Sequence, residues 1–335
     1  MNKLFLAPMA EITHRGFREL IEDFGGCDEY FSEMISAKGV LSGGPFEKYY
    51  IDNGPKPEKL VFQLVGAEIN SICRAAEYLN SLECAGIDIN MGCSAPLIRK
   101  TGAGAGWLSS IDNAGKLISA VRPVVKKRLS VKLRIGFKDD FEYLVKFCKR
   151  LESEGVDLIT LHPRLVTEKF KGRARWDYIG RLKQELKIPV AGNGDIKTSE
   201  DIINRANGQC DAIMVGRAAV RQPWIFAATK GILFENSHAE AQSRRVAEEE
   251  KIPTPNSPLN LSDFASLREI TGIRFLELLR KHQPVEFHLS RANRFFGFFC
   301  DNLKWGNFLK NQINREQSIS GIEKVWCEYF RNNDE

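Results

Sequence analysis

Eight short apolar runs mark the first two thirds of the chain: 4–9 (LFLAPM), 29–34 (EYFSEM), 60–65 (LVFQLV), 86–91 (GIDINM), 130–135 (SVKLRI), 157–162 (DLITLH), 188–193 (IPVAGN) and 211–216 (DAIMVG). Each is short enough for a strand, and several alternate apolar with polar positions. Between them the period changes. Residues 13–24 carry Phe17, Leu20, Ile21 and Phe24 at helical spacing, and 68–82, 110–121, 140–154, 176–186, 198–206 and 218–230 also read as helices. Strand–helix alternation implies a parallel sheet with right-handed crossovers. Eight such units within residues 1–234 imply closure, an α/β fold of the (β/α)8 or TIM-barrel type. An open doubly wound sheet would favour a GxGxxG after its first strand, and APMAEITHRG there has none.

The pattern then breaks. Residues 235–262 are polar and carry Pro253, Pro255 and Pro258, which predicts a linker or mobile excursion. From 263 to 335 the period is helical again, with Phe275, Leu276 and Leu279 followed by Leu289, Ala292, Phe295, Phe296, Phe299 and Leu303. This predicts a C-terminal all-helical domain whose aromatic stripe is core rather than a stacking platform. His288, Arg291 and Arg294 step three residues apart, so neighbours in the series meet on a helix. They read either as a solvated face or as phosphate contacts. Between Arg268 and Arg315 nine Lys/Arg stand against four Asp/Glu, which gives this domain a basic bias.

Composition adds little to the fold and something to the function. The chain has 335 residues, 43% hydrophobic and 27% charged, ordinary for a globular enzyme. A net charge of +5 and a pI of about 8.7 permit a polyanionic partner. Eight cysteines show no CxxC pair and no metal-ligand spacing. There is no signal peptide and no apolar run long enough to span a bilayer. The expectation is a cytoplasmic protein with reduced thiols, no metal, no membrane and no implied protein partner.

The chemistry concentrates at residues 86–106, GIDINMGCSAPLIRKTGAGAG. A strand ends at Gly92-Cys93 and runs into a basic, glycine-rich loop. Cys93 reads either as a small packing residue or as a reactive thiol at a strand end. Barrel enzymes place their sites at the carboxyl ends of the strands. The polar residues there are Met9-Ala10-Glu11, Glu33, Gln63, Asn90, Cys93, Lys132, Arg134, His162, Arg164, Asn193-Gly194-Asp195 and Gly216-Arg217. Lys132 lies between Val131 and Leu133 and points either to the barrel mouth or to an inward ion pair. GNGD after the seventh strand and VGR after the eighth suit a phosphate cradle, which predicts a phosphorylated cofactor or substrate.

Nine segments in order then carry a resemblance: APMAEITHRGFREL, FSEMISAKGVL, FQLVGAE, GIDINMGC, GAGAGWL, SVKLRIG, LHPR, GNGDI and CDAIMVGRAAVRQPWIF. Together they resemble the tRNA-dihydrouridine synthases, from residue 4 to about 226. The resemblance implies an FMN-dependent enzyme that reduces the C5=C6 bond of a D-loop uridine in tRNA, with NADPH as electron donor. By the same resemblance Pro8, Met9 and Ala10 border the flavin, and Gln63 and Lys132 meet its isoalloxazine edge. His162 lies beside it, while Asn193, Gly194, Asp195, Gly216 and Arg217 hold its phosphate. Cys93 matches the proton donor, and Asn90 a residue near the target uracil. Arg291 and Arg294, on the basic helical domain, are the expected tRNA contacts.

The chemistry is consistent with these roles. Hydride delivered from flavin N5 to uracil C6 develops charge at C5, which needs an acid, and a thiol serves near neutrality. The target base must leave the tRNA stack to be reached. One departure stands out: the family has proline after the cysteine, whereas this chain has Ser94, with Pro96 two places on. Three other readings compete. They are a flavin barrel reducing a small pyrimidine or enone, an RNA-binding protein without catalysis, and a Schiff-base aldolase using Lys132.

Overall fold

A computed structural model describes residues 2–169, 171–231 and 264–332 of the chain. The expected linker over 235–262 lies outside the described residues. Eight parallel strands close into a barrel in chain order: β1 Lys3–Leu6, β2 Glu29–Ser36, β3 Leu60–Val65, β4 Gly86–Met91, β5 Arg128–Gly136, β6 Leu158–Leu165, β7 Val190–Asn193 and β8 Ala212–Val215. Closure is made by β1 against β8, with Phe5 opposite Met214 and Leu6 opposite Val215. The (β/α)8 expectation holds. The strand expected over 4–9 stops at Leu6. Ala7 still donates to the Val215 carbonyl (2.8 Å), but Pro8 has no N–H to continue the ladder.

The helices between strands are α1 Arg15–Asp23, α2 Ala37–Ser42, α3 Glu47–Tyr50, α4 Ile69–Ser81, α5 Pro96–Lys100, α6 Ile111–Val121, α7 Phe141–Ser153, α8 Asp177–Glu185 and α9 Ser199–Arg205. Side-chain caps start several of them. Ser110 Oγ accepts from the Asn113 N–H and Asp140 Oδ1 from the Tyr143 N–H, satisfying otherwise orphaned donors. The helix expected over 218–230 is two short ones, α10 Arg217–Arg221 and α11 Ile225–Thr229, because Pro223 lies between them. Among the described residues four more α-helices follow: α12 Phe264–His282, α13 Val285–Phe299, α14 Gly306–Ile313 and α15 Ile319–Asn332.

By contacts the chain forms two compact units. The first comprises Met1–Thr13, Asp28–Lys197 and Asp201–Gly216; the second comprises His14–Cys27, Thr198–Glu200 and Arg217–Glu335. The contact boundary therefore falls after Gly216, where the period pattern places it after 234, and α1 belongs with the C-terminal helices. Within that second unit α1 packs on α12, and its apolar face of Phe17, Leu20 and Ile21 is fully buried. Phe17 meets Phe295 edge-on at 6.2 Å.

The barrel interior is layered. Phe5, Phe31, Val61, Leu158, Ala191, Ala212 and Met214, one or more from most strands, form an apolar cluster. One pleat further along, the inward positions become polar: Gln63, Asp88, Asn90, Lys132, Thr160, His162 and Asn193. The core of the helical unit is aromatic, as the stripe predicts. Phe275 stacks on Phe295 at 3.8 Å, Phe295 on Phe299 at 4.9 Å, and Phe296 lies 4.8 Å from Trp326. Trp326 presses on α12 at Gly272, where a Cβ would sit 2.3 Å from the indole. No described helix is long and apolar enough to cross a membrane.

Candidate active site

The strand register assembles the site. Gln63 lies opposite Asp88, Asp88 opposite Ser130, Asn90 opposite Lys132, and Lys132 opposite Thr160. Their side chains form one connected chain. Ser130 Oγ donates to Asp88 Oδ1 (2.6 Å) and Gln63 Nε2 to Asp88 Oδ2 (2.7 Å). Asn90 Nδ2 donates to Gln63 Oε1 (2.8 Å). Asn90 Oδ1 then accepts from the backbone N–H groups of Cys93 (2.9 Å) and Gly92 (3.1 Å). A carboxylate can only accept, so it orients the Gln63 amide, which in turn orients Asn90. The chain ends on the loop that carries Cys93.

That loop is held from three further directions. Arg134 Nε donates to the Gly92 carbonyl (3.1 Å), while its Nη1 reaches the Leu165 and Lys169 carbonyls at 3.2 and 2.7 Å. The Ala105 N–H donates to the Cys93 carbonyl (3.0 Å). Gly104, at φ 57°, lies so close that a Cβ would be 3.0 Å from Cys93 Cβ. Cys93 itself is half-buried, and all eight cysteines are free thiols. After Ser94 the chain enters the exposed helix α5 at Pro96.

Two titratable groups, Asp88 on β4 and Lys132 on β5, lie diagonally across the strand pair. Burial pushes the Asp88 carboxyl up to about 6, against the hydrogen bonds of Ser130 and Gln63 and the charge of Lys132. Burial, aided by Arg134, pulls Lys132 down to about 8, while Asp88 and Cys93 act to hold it up. No described residue accepts a hydrogen bond from the Lys132 ammonium. Its neighbour Thr160 has its Oγ1 buried with no partner. The inward ion pair, one of the two readings of Lys132, is not formed.

The other expected residues line the same end of the barrel or its loops. Pro8 and Met9 are half-buried and Ala10 is exposed. Their turn is tied by the Met9 N–H to Thr13 Oγ1 (3.0 Å), and by the Glu11 N–H to Glu33 Oε1 (2.5 Å). Asn193 Nδ2 donates to the Met214 carbonyl (2.8 Å), joining β7 to β8. Gly194 takes φ 117°, and a Cβ there would sit 2.8 Å from His162 Cδ2. At Gly216 a Cβ would stand in ordinary contact with Ala7 and the Met9 sulfur, at 3.6 and 3.7 Å.

Asp195 differs from the expectation that it holds a phosphate. Its carboxylate accepts from Arg164 Nη2 (2.6 Å) and from the Ala174 N–H (2.7 Å). Burial opposes these contacts, but they keep the carboxyl below its usual range, and so anionic. An anion so engaged repels phosphate. Arg164 Nη1 also lies 3.0 Å from His162 Nε2. A guanidinium has no acceptor, so His162 Nε2 accepts and its proton is on Nδ1.

Gln63 has no exposed surface and is bonded to Asp88 and Asn90, while Asn90 alone reaches the Cys93 loop. In the second unit Arg217 is exposed at the start of α10. Arg294 is exposed, but Arg291 is 1% exposed, with its guanidinium 4.9 Å from the Phe287 ring, so it is no surface contact. Period reading assigned no role to Asp88, Ser130 or Thr160. Their signal was parity: each lies two residues from Asn90, Lys132 or His162 on the same pleat face.

The family model for dihydrouridine synthase (Dus) matches residues 5–280. A probable tRNA-dihydrouridine synthase of Aquifex aeolicus (strain VF5) is 35% identical over 232 residues, 67% of this chain and 72% of that protein. The tRNA-dihydrouridine synthase B of Pasteurella multocida (strain Pm70) is 30% identical over 239 residues, 70% of this chain and 71% of that protein. Among solved structures, a morphinone reductase mutant in complex with tetrahydroNAD covers 68% of this chain and 86% of its own, at TM-score 0.50 and 9% identity. That likeness is one of fold alone.

Proposed function

Because this chain belongs to the dihydrouridine synthase family, we propose that it reduces D-loop uridines of tRNA to 5,6-dihydrouridine, with FMN as resident cofactor and NADPH as electron donor. The observation that carries the reading is Lys132, a half-buried cation in the barrel mouth with no described protein partner, beside the chain that ends on Cys93.

The residues present suit a flavin mononucleotide. Lys132 and the orphaned Thr160 Oγ1 offer a cation and a hydroxyl to the polar edge of an isoalloxazine. Gly216, at the end of β8, and the left-handed turn at Gly194 offer backbone to a single phosphate. Pro8, Met9 and Ala10 border the ring, and His162 lies beside it as a neutral Nδ1–H donor. Asp195 serves through Arg164, whose guanidinium it orients. When bound and reduced by NADPH, the flavin supplies the electron pair that saturates C5=C6 of uracil.

The protein's own groups do the rest. Cys93 holds the proton destined for C5. Asn90 fixes the backbone of that cysteine, Gln63 fixes Asn90, and Asp88 fixes Gln63, so the thiol is presented without reorganisation. The helical unit contributes exposed Arg294 to the tRNA backbone.

Two measurements test this. Heat-released chromophore should be FMN on chromatography, and purified protein with NADPH should form dihydrouridine in unmodified tRNA. FAD, no flavin, or no product would each overturn the proposal. Lys132 must be protonated to hold the anionic edge, and burial puts it at about 8. Flavin retention should therefore fall as pH rises through about 8, a step that Lys132→Met lacks.

A further inference from the structure

A cavity lies wholly within the helical unit. A cleft of about 450 Å³ is lined by Trp305, Phe308, Gln312, Val325, Tyr329 and Asn332, within the range of small-molecule sites. Its rings are not core: Trp305 is 67% exposed and Phe308 63%, whereas Trp107, Trp176, Trp224 and Trp326 are all 8% exposed or less.

The backbone makes Trp305 more unusual. It sits at φ 56° just before α14 and makes no side-chain cap hydrogen bond. Glycine or asparagine adopts this conformation with little strain, and an indole does not. An indole so exposed also gains little packing. Neither capping nor burial accounts for tryptophan here; a ligand for the ring's face does.

The rest of the cleft indicates what ligand. Tyr329 is buried, with its hydroxyl donating to the Lys304 carbonyl (2.6 Å), so it forms a fixed wall. Gln312 and Asn332 supply amides able to meet both donors and acceptors of a ring edge. Exposed Lys304, Lys324 and Arg331 are chain neighbours of Trp305, Val325 and Asn332. The carboxylate of Glu328, also in the lining, lies 3.9 Å from Lys324 Nζ, which balances its charge. Aromatic faces, amide edges and a cationic rim are the parts with which proteins hold unstacked nucleotides.

We propose that this cleft binds one unpaired nucleobase of the tRNA substrate, stacked on Trp305 and read at its edge by Gln312 and Asn332. The proposal rests on the tRNA reading above.

The test uses the full-length flavoprotein and unmodified tRNA. Trp305→Gly removes the ring and relieves the backbone. It should weaken tRNA binding about 5- to 150-fold, the worth of one base–aromatic stack. The slope of log Kd against log salt should not change, because no phosphate contact is lost. The thermal midpoint should hold or rise, and Trp305→Phe should recover most of the affinity. Tryptophan emission of the parent should be quenched by tRNA, with the quenched component missing in Trp305→Gly.

Unchanged affinity would overturn the proposal. So would a lower thermal midpoint, which marks a packing role, or a change of mass in solution, which marks a second copy on the cleft. If the parent itself fails to bind tRNA, the tRNA reading falls first, and the parent titration shows that separately.

Discussion

Both units leave some buried polar atoms without a partner, Thr160 Oγ1 in the barrel among them, but the barrel links four of its polar side chains into one chain. In the barrel, Ser130, Asp88, Gln63 and Asn90 form a connected chain in which each group orients the next. In the helical unit, His14 Nε2 and both amide atoms of Gln283 are buried without partners, and the bulk of the core is stacked rings. His14 is held well below its usual pKa by burial and by Arg291 and Arg18, so it stays neutral there. Isolated unsatisfied groups of this kind each cost about 1–3 kcal/mol, a burden that aromatic packing outweighs. The helical interior is built for cohesion; the barrel interior is built to aim a loop.

The largest expected effect follows from where α1 packs. Deleting residues 264–335 would uncover Phe17, Leu20 and Ile21, each fully buried. At about 1.5–3 kcal/mol per side chain the loss rivals a whole domain's stability. The truncated chain should be insoluble or lack a cooperative melt. A soluble, yellow, cooperatively melting 1–263 fragment would show instead that the barrel stands alone.

Next comes Cys93→Ala. Stopped-flow absorbance should show the half-reaction with tRNA slowed about 10²–10⁴ more than that with NADPH, the usual share of a positioned general acid. Equal slowing of both, or normal tRNA turnover, would return Cys93 to a packing role.

Asp88 yields a pH test of the polar chain. Its carboxyl is raised from 3.8 to about 6, so between those values the folded protein holds a proton that the unfolded chain releases. Its contribution is therefore most favourable below about pH 4, declines as pH rises to about 6, and is flat above that. The shift corresponds to about 3 kcal/mol. Asp88→Asn does not titrate, so the parent's stability relative to this variant should fall by about that amount over the window. A pH-independent difference between the two would mean that Asp88 is not held in a low-dielectric chain.

The smallest effect separates two arginines. Arg294→Glu should leave the melting midpoint within a few degrees, weaken tRNA binding and lower its salt slope by about one. Arg291→Glu, a carboxylate placed in the interior, should lower the midpoint sharply. Equal melting behaviour of the two variants would contradict the burial of Arg291.

Much of this was legible in local pattern. Period two and period 3.6 are properties of short segments, so the eight strands, the closure implied by their number, and the aromatic core of the C-terminal helices follow from residue order alone. Cys93, Lys132 and the glycines at 194 and 216 stand out because polarity and glycine at strand ends conflict with a purely structural strand. What required the tertiary structure is whatever depends on facing. His288, Arg291 and Arg294 are three apart, but three residues turn a helix by only about 300°. The series therefore drifts, and Arg291 is buried while Arg294 is exposed. The amphipathic face of α1 fits any apolar partner, and only packing assigned it to α12. Asp88 reads as one polar residue in a strand until register sets Gln63 on one side of it and Ser130 on the other. Spacing records which residues share a face of one element; which faces meet is decided by the closed barrel and the packed helices together.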